Sequence, residues 1–188
     1  MDLGIQLDLV EAVEQQGDST LVASLKAYET EISKDDDLAL FRMTLKGGNK
    51  QDGHYVFYEH EGAQCTRCHA IWEYGGNAGP GLNGVATRLS DEQLLDALIH
   101  PSKDYALGYE IVSLTLNDSS DVSGIVMERT DEFLKIKLGK EDIQTIPQSD
   151  IKESVSVPSS MIPVKSVLTK REIRDLIRFL KDLTQEVE

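Results

Sequence analysis

Residues 64–69 read QCTRCH. Cys65 and Cys68 are the only cysteines of the chain, and His69 follows the second directly. Within one helical turn, residues three apart project to the same side. Two thiols placed so can add to the two vinyl groups on one edge of a porphyrin, and the adjoining imidazole then reaches the iron from the same face. Cys-x-x-Cys-His is accordingly the attachment signature of covalently bound haem c. Such a cofactor becomes part of the core, which would account for an aromatic content of only 6%.

Other chemistries compete for the same residues. A structural zinc site needs four ligands. Two cysteines exclude a four-thiolate site, and a mixed site has to recruit His54 and His60. A thioredoxin-like dithiol sits at a strand-to-helix turn near a βαβ pattern, and no such pattern surrounds Cys65. A disulfide or a chance structural pair is the bland reading.

If haem is bound, a second axial ligand is expected far downstream. Of the four methionines, Met1 is terminal, Met43 lies in a helical arm before the motif, and Met127 falls in a β-rich region. Met161 lies in PSSMIPVKS, a Pro-flanked loop able to carry a thioether over the distal face, and it is the favoured ligand; the bland reading is core filler. His54, His60 or His100 offer bis-histidine ligation instead, although His100, at a helix end beside Pro101, also suits a partner for the helix dipole. A ligating histidine donates its other N–H to a carbonyl, and the Gly79-Pro80 turn is well placed to supply one. Arg88, Tyr105 and Tyr109 are candidates for the haem propionates, and each suits the surface or core equally. Trp72 reads as a haem-wall or core residue.

The elements that must position these residues follow from pattern. Residues 1–45 read as an acidic helical arm, with Leu7, Val10 and Val13 on one stripe and Leu21, Leu25, Tyr28 and Ile32 on another. Asp18 or Ser19 caps the second helix, and KDDD is a solvated run. GGNKQDG marks a break, and the helix after it is expected to end near the CxxCH. GGNAGPGLNGV is a loop. Ser90 and Gln93 form a capping box before the stripe Leu94, Leu95, Leu98, Ile99, and Pro101 stops that helix. From 109 to 156 the period shortens to that of strands, giving an antiparallel meander of about five. Thr169 and Glu172 open a last helix with the stripe Ile173, Leu176, Ile177, Leu180 and Leu183.

The formal net charge is −14, from 33 acids against 19 bases. That excludes a phosphate-binding surface of the usual kind, so no nucleic acid is expected as a partner. It suits a partner with a basic docking surface. No run of about 20 apolar residues is present, so no membrane insertion is expected.

Taken together, QCTRCH, GNAGPGLNGVATRLSDEQLLDALIHPS, YALGYEIVSL, SGIVMERTD, IPQSDI and VLTKREIRDLIRFLKDL resemble the haem-binding cytochrome c domain typical of planctomycete and verrucomicrobial proteins. LDLVEAV and LKAYE look like the helical lead-in of that family. The resemblance implies a mainly α cytochrome c fold with a small antiparallel β insertion between the proximal half and the distal-Met loop. Its parts would be a helical N-terminal extension (1–45), a first haem-domain part (46–108), the β insertion (109–156), and the distal loop with the C-terminal helix (157–188). It implies one covalent haem c on Cys65 and Cys68, His69 as proximal ligand and Met161 as distal ligand. Gly53 and Phe57 would pack against Phe179. The family usually shows Met followed directly by Pro; this chain has Met161-Ile162-Pro163.

The implied function is single-electron transfer rather than enzyme catalysis, between a redox donor and acceptor, with a fused sugar-dehydrogenase-like domain as one candidate donor. The alternative is a haem-based gas or redox sensor, or a small peroxidase, with a labile sixth ligand. Haem c is attached after export, so a periplasmic or otherwise exported location is expected. The opening MDLGIQ has no signal-peptide pattern, which reads as a piece cut from a larger exported protein, with Met1 a cloning start.

Overall fold

The computed structural model describes residues 3–139 and 142–185. The chain divides into two compact units: Met1–His100 with Ile162–Glu188, and Pro101–Met161. The expectation of a mainly α cytochrome c fold is corrected. Helix accounts for 43% and strand for 19%, and the strands form a five-stranded antiparallel sheet with its own core, so the chain is α+β. The β-branched run after residue 109 buries enough aliphatic surface to stand as a unit, which a reading centred on the helices undervalues.

The first unit is organised by two crossing helices, α3 (Lys50–Glu59) and α6 (Lys170–Leu180). They meet at Gly53. A methyl group there would stand 1.9 Å from the Asp175 carbonyl oxygen and 2.7 Å from Phe179 Cβ, so only glycine permits this approach. Beside it the Phe57 and Phe179 rings pack with centroids 5.8 Å apart. Asn49 caps α3 by accepting from the Gln51 N–H at 2.9 Å, and its own N–H donates to Asp175 Oδ1 at 2.7 Å. The helix thus starts inside the GGNKQDG run taken as a break. It ends at Glu59, short of the CxxCH it was expected to reach.

Both capping boxes form. Ser90 and Gln93 open α5 (Asp91–Ile99), and Thr169 and Glu172 open α6. The stripes behind them are buried through Leu94, Leu95, Leu98, Ile99, Ile173, Leu176, Ile177 and Leu180. Leu183 lies beyond the helix end and is half-buried.

The N-terminal segment forms α1 (Leu3–Gln16) and α2 (Ser19–Ile32), the latter capped by Asp18. Leu7 and Val10 pack on Met43, with Leu25 alongside. The stripe expected on α2 is not a core stripe: Leu21 and Tyr28 are exposed, and only Leu25 and Ile32 are half-buried. Ion pairs hold the arm to α6 instead, with Lys170 on Glu29 at 2.7 Å and Arg171 on Asp8 and Glu11. Nor is KDDD merely solvated. Asp36 pairs with Arg42 at 2.6 Å, and Asp37 with Lys165 and His100, each at 3.0 Å. Among the described residues no helix is long and apolar enough to cross a membrane.

The second unit holds β3 (Ile111–Leu116), β4 (Asp121–Arg129), β5 (Phe133–Lys137), β6 (Ile143–Pro147) and β7 (Ile151–Ser156). The order is β6-β5-β4-β3-β7. Only the first four strands are a meander; β7 returns to pair with β3. Edge strands β6 and β7 are joined by a single 3₁₀ turn, Gln148–Asp150. Across a flat five-stranded sheet those edges would lie about 19 Å apart. The connection spans about 8 Å in 3₁₀ form, and at most about 14 Å if fully extended. The sheet must therefore roll up, and its interior is the cluster Val112, Leu114, Val126, Leu134, Ile136 and Ile146. Hydrogen bonds from Asn117 Nδ2 to Ser149 O (2.7 Å) and from the Gln148 N–H to Glu132 O (2.9 Å) tie the connection to the other turns.

Two expectations follow. Gly53→Ala should destabilise the chain by about 3 kcal/mol, read as a lower urea midpoint, because backbone rather than a flexible side chain blocks the methyl group. The second concerns His100. Its two ring nitrogens both face carboxylates, Asp96 at 2.6 Å and Asp37 at 3.0 Å. Burial opposes its charge, but these hydrogen bonds raise its pKa above the ordinary value, while the bond from His100, followed by that from Lys165, lowers Asp37 to about 2. The His100 contribution is complete below the ordinary imidazole pKa and is lost as pH rises through the raised value. The Asp37 contribution is complete above the ordinary carboxylate value and is lost only toward pH 2. Stability should therefore fall by under about 1 kcal/mol between pH 6 and 9, since Asp37 is half exposed. Asp37→Asn should move the His100 titration, followed by NMR, to lower pH.

Candidate haem attachment site

After α3 the chain turns at His60, whose Nδ1 accepts from the N–H groups of Gly62 and Ala63 at 3.2 and 3.0 Å. Gln64 then takes a left-handed conformation, φ 45°. A 3₁₀ turn follows over Cys65–Arg67, and the N–H groups of Cys68 and His69 both donate to Cys65 O, at 3.2 and 2.9 Å. In a 3₁₀ turn, residues three apart eclipse one another, so the two thiols leave the backbone on one side.

The glycine-rich loop folds back over this turn. The Gly76 N–H donates to Thr66 O, that of Gly79 to Cys68 O, and that of Leu82 to Ala70 O, all at 2.8–2.9 Å. His69 Nδ1 stands 2.8 Å from Pro80 O. A carbonyl only accepts, so Nδ1 carries the proton, and the lone pair is on Nε2, which has no hydrogen-bond partner among the described residues. The carbonyl expected from the Gly79-Pro80 turn does lie against the His69 ring. Gly79 is required here: a methyl group would lie 2.6 Å from His69 Cε1. At Gly76 a methyl group would stand 2.1 Å from Arg67 O.

Cys65 and Cys68 are half-buried and free. Burial, with a smaller contribution from neighbouring Cys68, pushes the Cys65 thiol up to about 11 against a backbone hydrogen bond. A redox-active dithiol depends on a lowered pKa, so this environment is the reverse of the thioredoxin-like one. The mixed zinc site does not assemble either: among the described residues no group of three or more His, Cys, Asp or Glu side chains could hold a metal ion. His60 engages both ring nitrogens, Nε2 lying 3.5 Å from Glu172 Oε1, and so does His100. His54 stacks on Tyr58, with ring centroids 4.4 Å apart.

Among these four imidazoles, His69 combines a committed Nδ1 with an open Nε2, the arrangement a metal-bound histidine adopts. Two free thiols on one side of a turn and this imidazole form a donor set that fits a covalently attached haem.

Arg88 ends the short helix α4 (Val85–Arg88). Its guanidinium donates to Asn83 O and, at 3.0 Å, to Gly81 O, so it braces the loop that carries Pro80. Tyr105, Tyr109 and Met161 belong to the other unit. The Tyr105 hydroxyl donates to Val157 O at 3.0 Å, Tyr109 is exposed, and Met161 is half-buried with its N–H on Ser159 Oγ at 3.1 Å. Met43 is core filler and Met127 sits at a bulge of β4. Trp72 is 55% exposed, not a core residue. A polar cleft of about 420 Å³ opens beside the attachment turn, between Tyr58, Glu59, Glu61 and Gln64. It is not lined by Cys65, Cys68 or His69.

Sequence reasoning missed Asn83. Its buried side chain accepts from the Trp72 N–H at 2.6 Å, which locks the strand after His69 to the returning loop. The only signal was its place in a glycine-rich run. Gly79→Ala is expected to push the imidazole off Pro80 O; in a ¹⁵N spectrum of the side chain, the Nδ1–H tautomer signal of His69 should disappear while the backbone pattern of α3 and α6 stays. No family model matches this chain, and no curated protein matches it.

Proposed function

We propose that the chain is a mono-haem c-type electron-carrier module. Cys65 and Cys68 would hold the haem through thioethers, each Sγ–H adding across one vinyl C=C with sulfur on one carbon and hydrogen on the other. His69 offers Nε2 as the proximal ligand and keeps its proton at Nδ1, against the Pro80 carbonyl. Met161 is the residue we assign to the distal position, where a soft, neutral thioether raises the reduction potential relative to stronger donors. A haem so held supplies a one-electron Fe(III)/Fe(II) couple. With His69 and Met161 as the residues that would hold the iron, the module would relay electrons rather than turn over a substrate.

The observation that carries this reading is the imidazole next to two free thiols, with one nitrogen pinned by the Pro80 carbonyl and the other open. The acidic balance of −14 supports partners that dock through basic surfaces, in encounters that weaken with salt. In this reading the module acts in the periplasm or otherwise outside the cytoplasm, as a relay for a redox donor such as a fused sugar-dehydrogenase-like domain.

The visible spectrum of the reduced protein, with and without carbon monoxide, tests the assignment. A six-coordinate low-spin species indifferent to the gas is expected. Met161→Ala should become high-spin and bind the gas. A variant that stays low-spin removes Met161 as the ligand, and a parent protein that binds the gas makes a sensor or small peroxidase the better account.

A further inference from the structure

Beside the attachment turn, the first unit leaves several aromatic rings open to water. Tyr55, Trp72 and Tyr74 are 61%, 55% and 66% exposed. Tyr55 and Tyr58, three apart on α3, are neighbours on its surface. Tyr58 packs on Tyr74 with ring centroids 5.5 Å apart. Trp72 and Glu73 are the two-residue tip of the hairpin between β1 (Ala70–Ile71) and β2 (Tyr74–Gly75). Trp72 has a left-handed backbone, φ 56°, held by the bond to Asn83. That conformation costs free energy in a tryptophan, and no burial of the ring offsets it.

Many acids of this unit are paired, while others, Glu14, Asp35 and Asp52 among them, are exposed with no ion pair among the described residues. Asp8, Glu11, Glu29, Asp36, Asp37, Asp91 and Glu92 all pair with a lysine or arginine. Glu59, Glu61 and Glu73 are exposed beside the rings and have no ion pair among the described residues. Glu59 and Glu61 also border the 420 Å³ cleft, whose walls include Tyr58. Arg67 is the cation of that cleft, and it is engaged with Gln64 Oε1 at 2.7 Å.

We propose that this face, Tyr55, Tyr58, Tyr74 and Trp72 with the cleft beside Glu59 and Glu61, docks a protein partner that presents arginine or lysine side chains. Aromatic π-faces attract cations, guanidinium above all. Large exposed aromatics supply the central contacts of protein interfaces. Unpaired carboxylates around them complete the recognition of a basic surface. A second copy fits poorly, because each chain carries a net charge of −14. Only the redox role of the partner rests on the function proposed above; the surface itself does not.

The test is an NMR titration of the full ¹⁵N-labelled chain with the peptide Arg-Gly-Arg-Gly-Arg, capped at both ends. Shift changes should concentrate in residues 52–61 and 72–75 and on the Trp72 indole N–H. Replacing both rings, Trp72→Ser with Tyr74→Ser, should weaken binding about tenfold, although the net charge is unchanged. Asp131→Asn, which removes one acid from the other unit, should weaken it less than about twofold. Tyr55→Ser alone, also at an exposed site, gives a second reading if the double variant is unfolded. Equal affinity after ring replacement, or shifts spread over every acidic surface, overturns the proposal. Shifts at the same face on adding unlabelled chain instead of peptide also overturn it, in favour of self-association. The readout needs no haem, so its failure and that of the haem reading are distinguishable.

Discussion

The hydrogen bond from His69 Nδ1 to the Pro80 carbonyl, at 2.8 Å, decides what the imidazole can do. It fixes the tautomer and leaves the Nε2 lone pair free to act as a Lewis base. Much of the first unit can be read as support for it. Gly79 leaves room for the ring, Gly76 lets the loop lie on the attachment turn, and Arg88 braces the carbonyls that follow. Backbone bonds from Gly76 and Gly79 to Thr66 and Cys68 make turn and loop one piece. A ring held this way would need little rearrangement to bind a metal.

The frame behind the loop is the α3–α6 crossing. Its close approach at Gly53 buries Phe57 and Phe179 together and sets the distance from which the chain enters the attachment turn. His60 links the two, since it caps the turn after α3 and reaches Glu172 in the first turn of α6. The N-terminal helices are joined to the same α6 largely through charge, by Lys170 and Arg171. Exposed pairs of this kind are individually weak and screened by salt, so the buried Leu7, Val10 and Met43 are the firmer part of that attachment.

Local chemistry was legible where a few neighbouring residues decide it. Ser90 with Gln93, and Thr169 with Glu172, announce helix starts because both partners lie within one turn. The Pro80 carbonyl was expected because a ligating imidazole needs an acceptor. What could not be read depends on distant partners. The cap at Asn49 is hidden in a glycine-rich run and is fixed by Asp175, far along the chain. The return of β7 to β3 is set by the rolled sheet, not by alternation within either strand. Arg88 suits a propionate, the surface or the core equally until the carbonyls of Gly81 and Asn83 are placed around it. The stripe on α2 has helical spacing, but spacing alone does not say that anything covers it. The mainly α expectation failed for a related reason: the weight of the strand region lies in a six-residue aliphatic core that no single strand displays.

The central claim is that Cys65 and Cys68 each carry a thioether to one porphyrin. It is tested most directly by the intact mass, under denaturing conditions, of protein exported through a haem-attachment system. The account predicts a coloured chain heavier than its polypeptide by one haem, and a Cys65→Ser, Cys68→Ser double variant at the bare polypeptide mass. A colourless parent chain at the bare mass would contradict it.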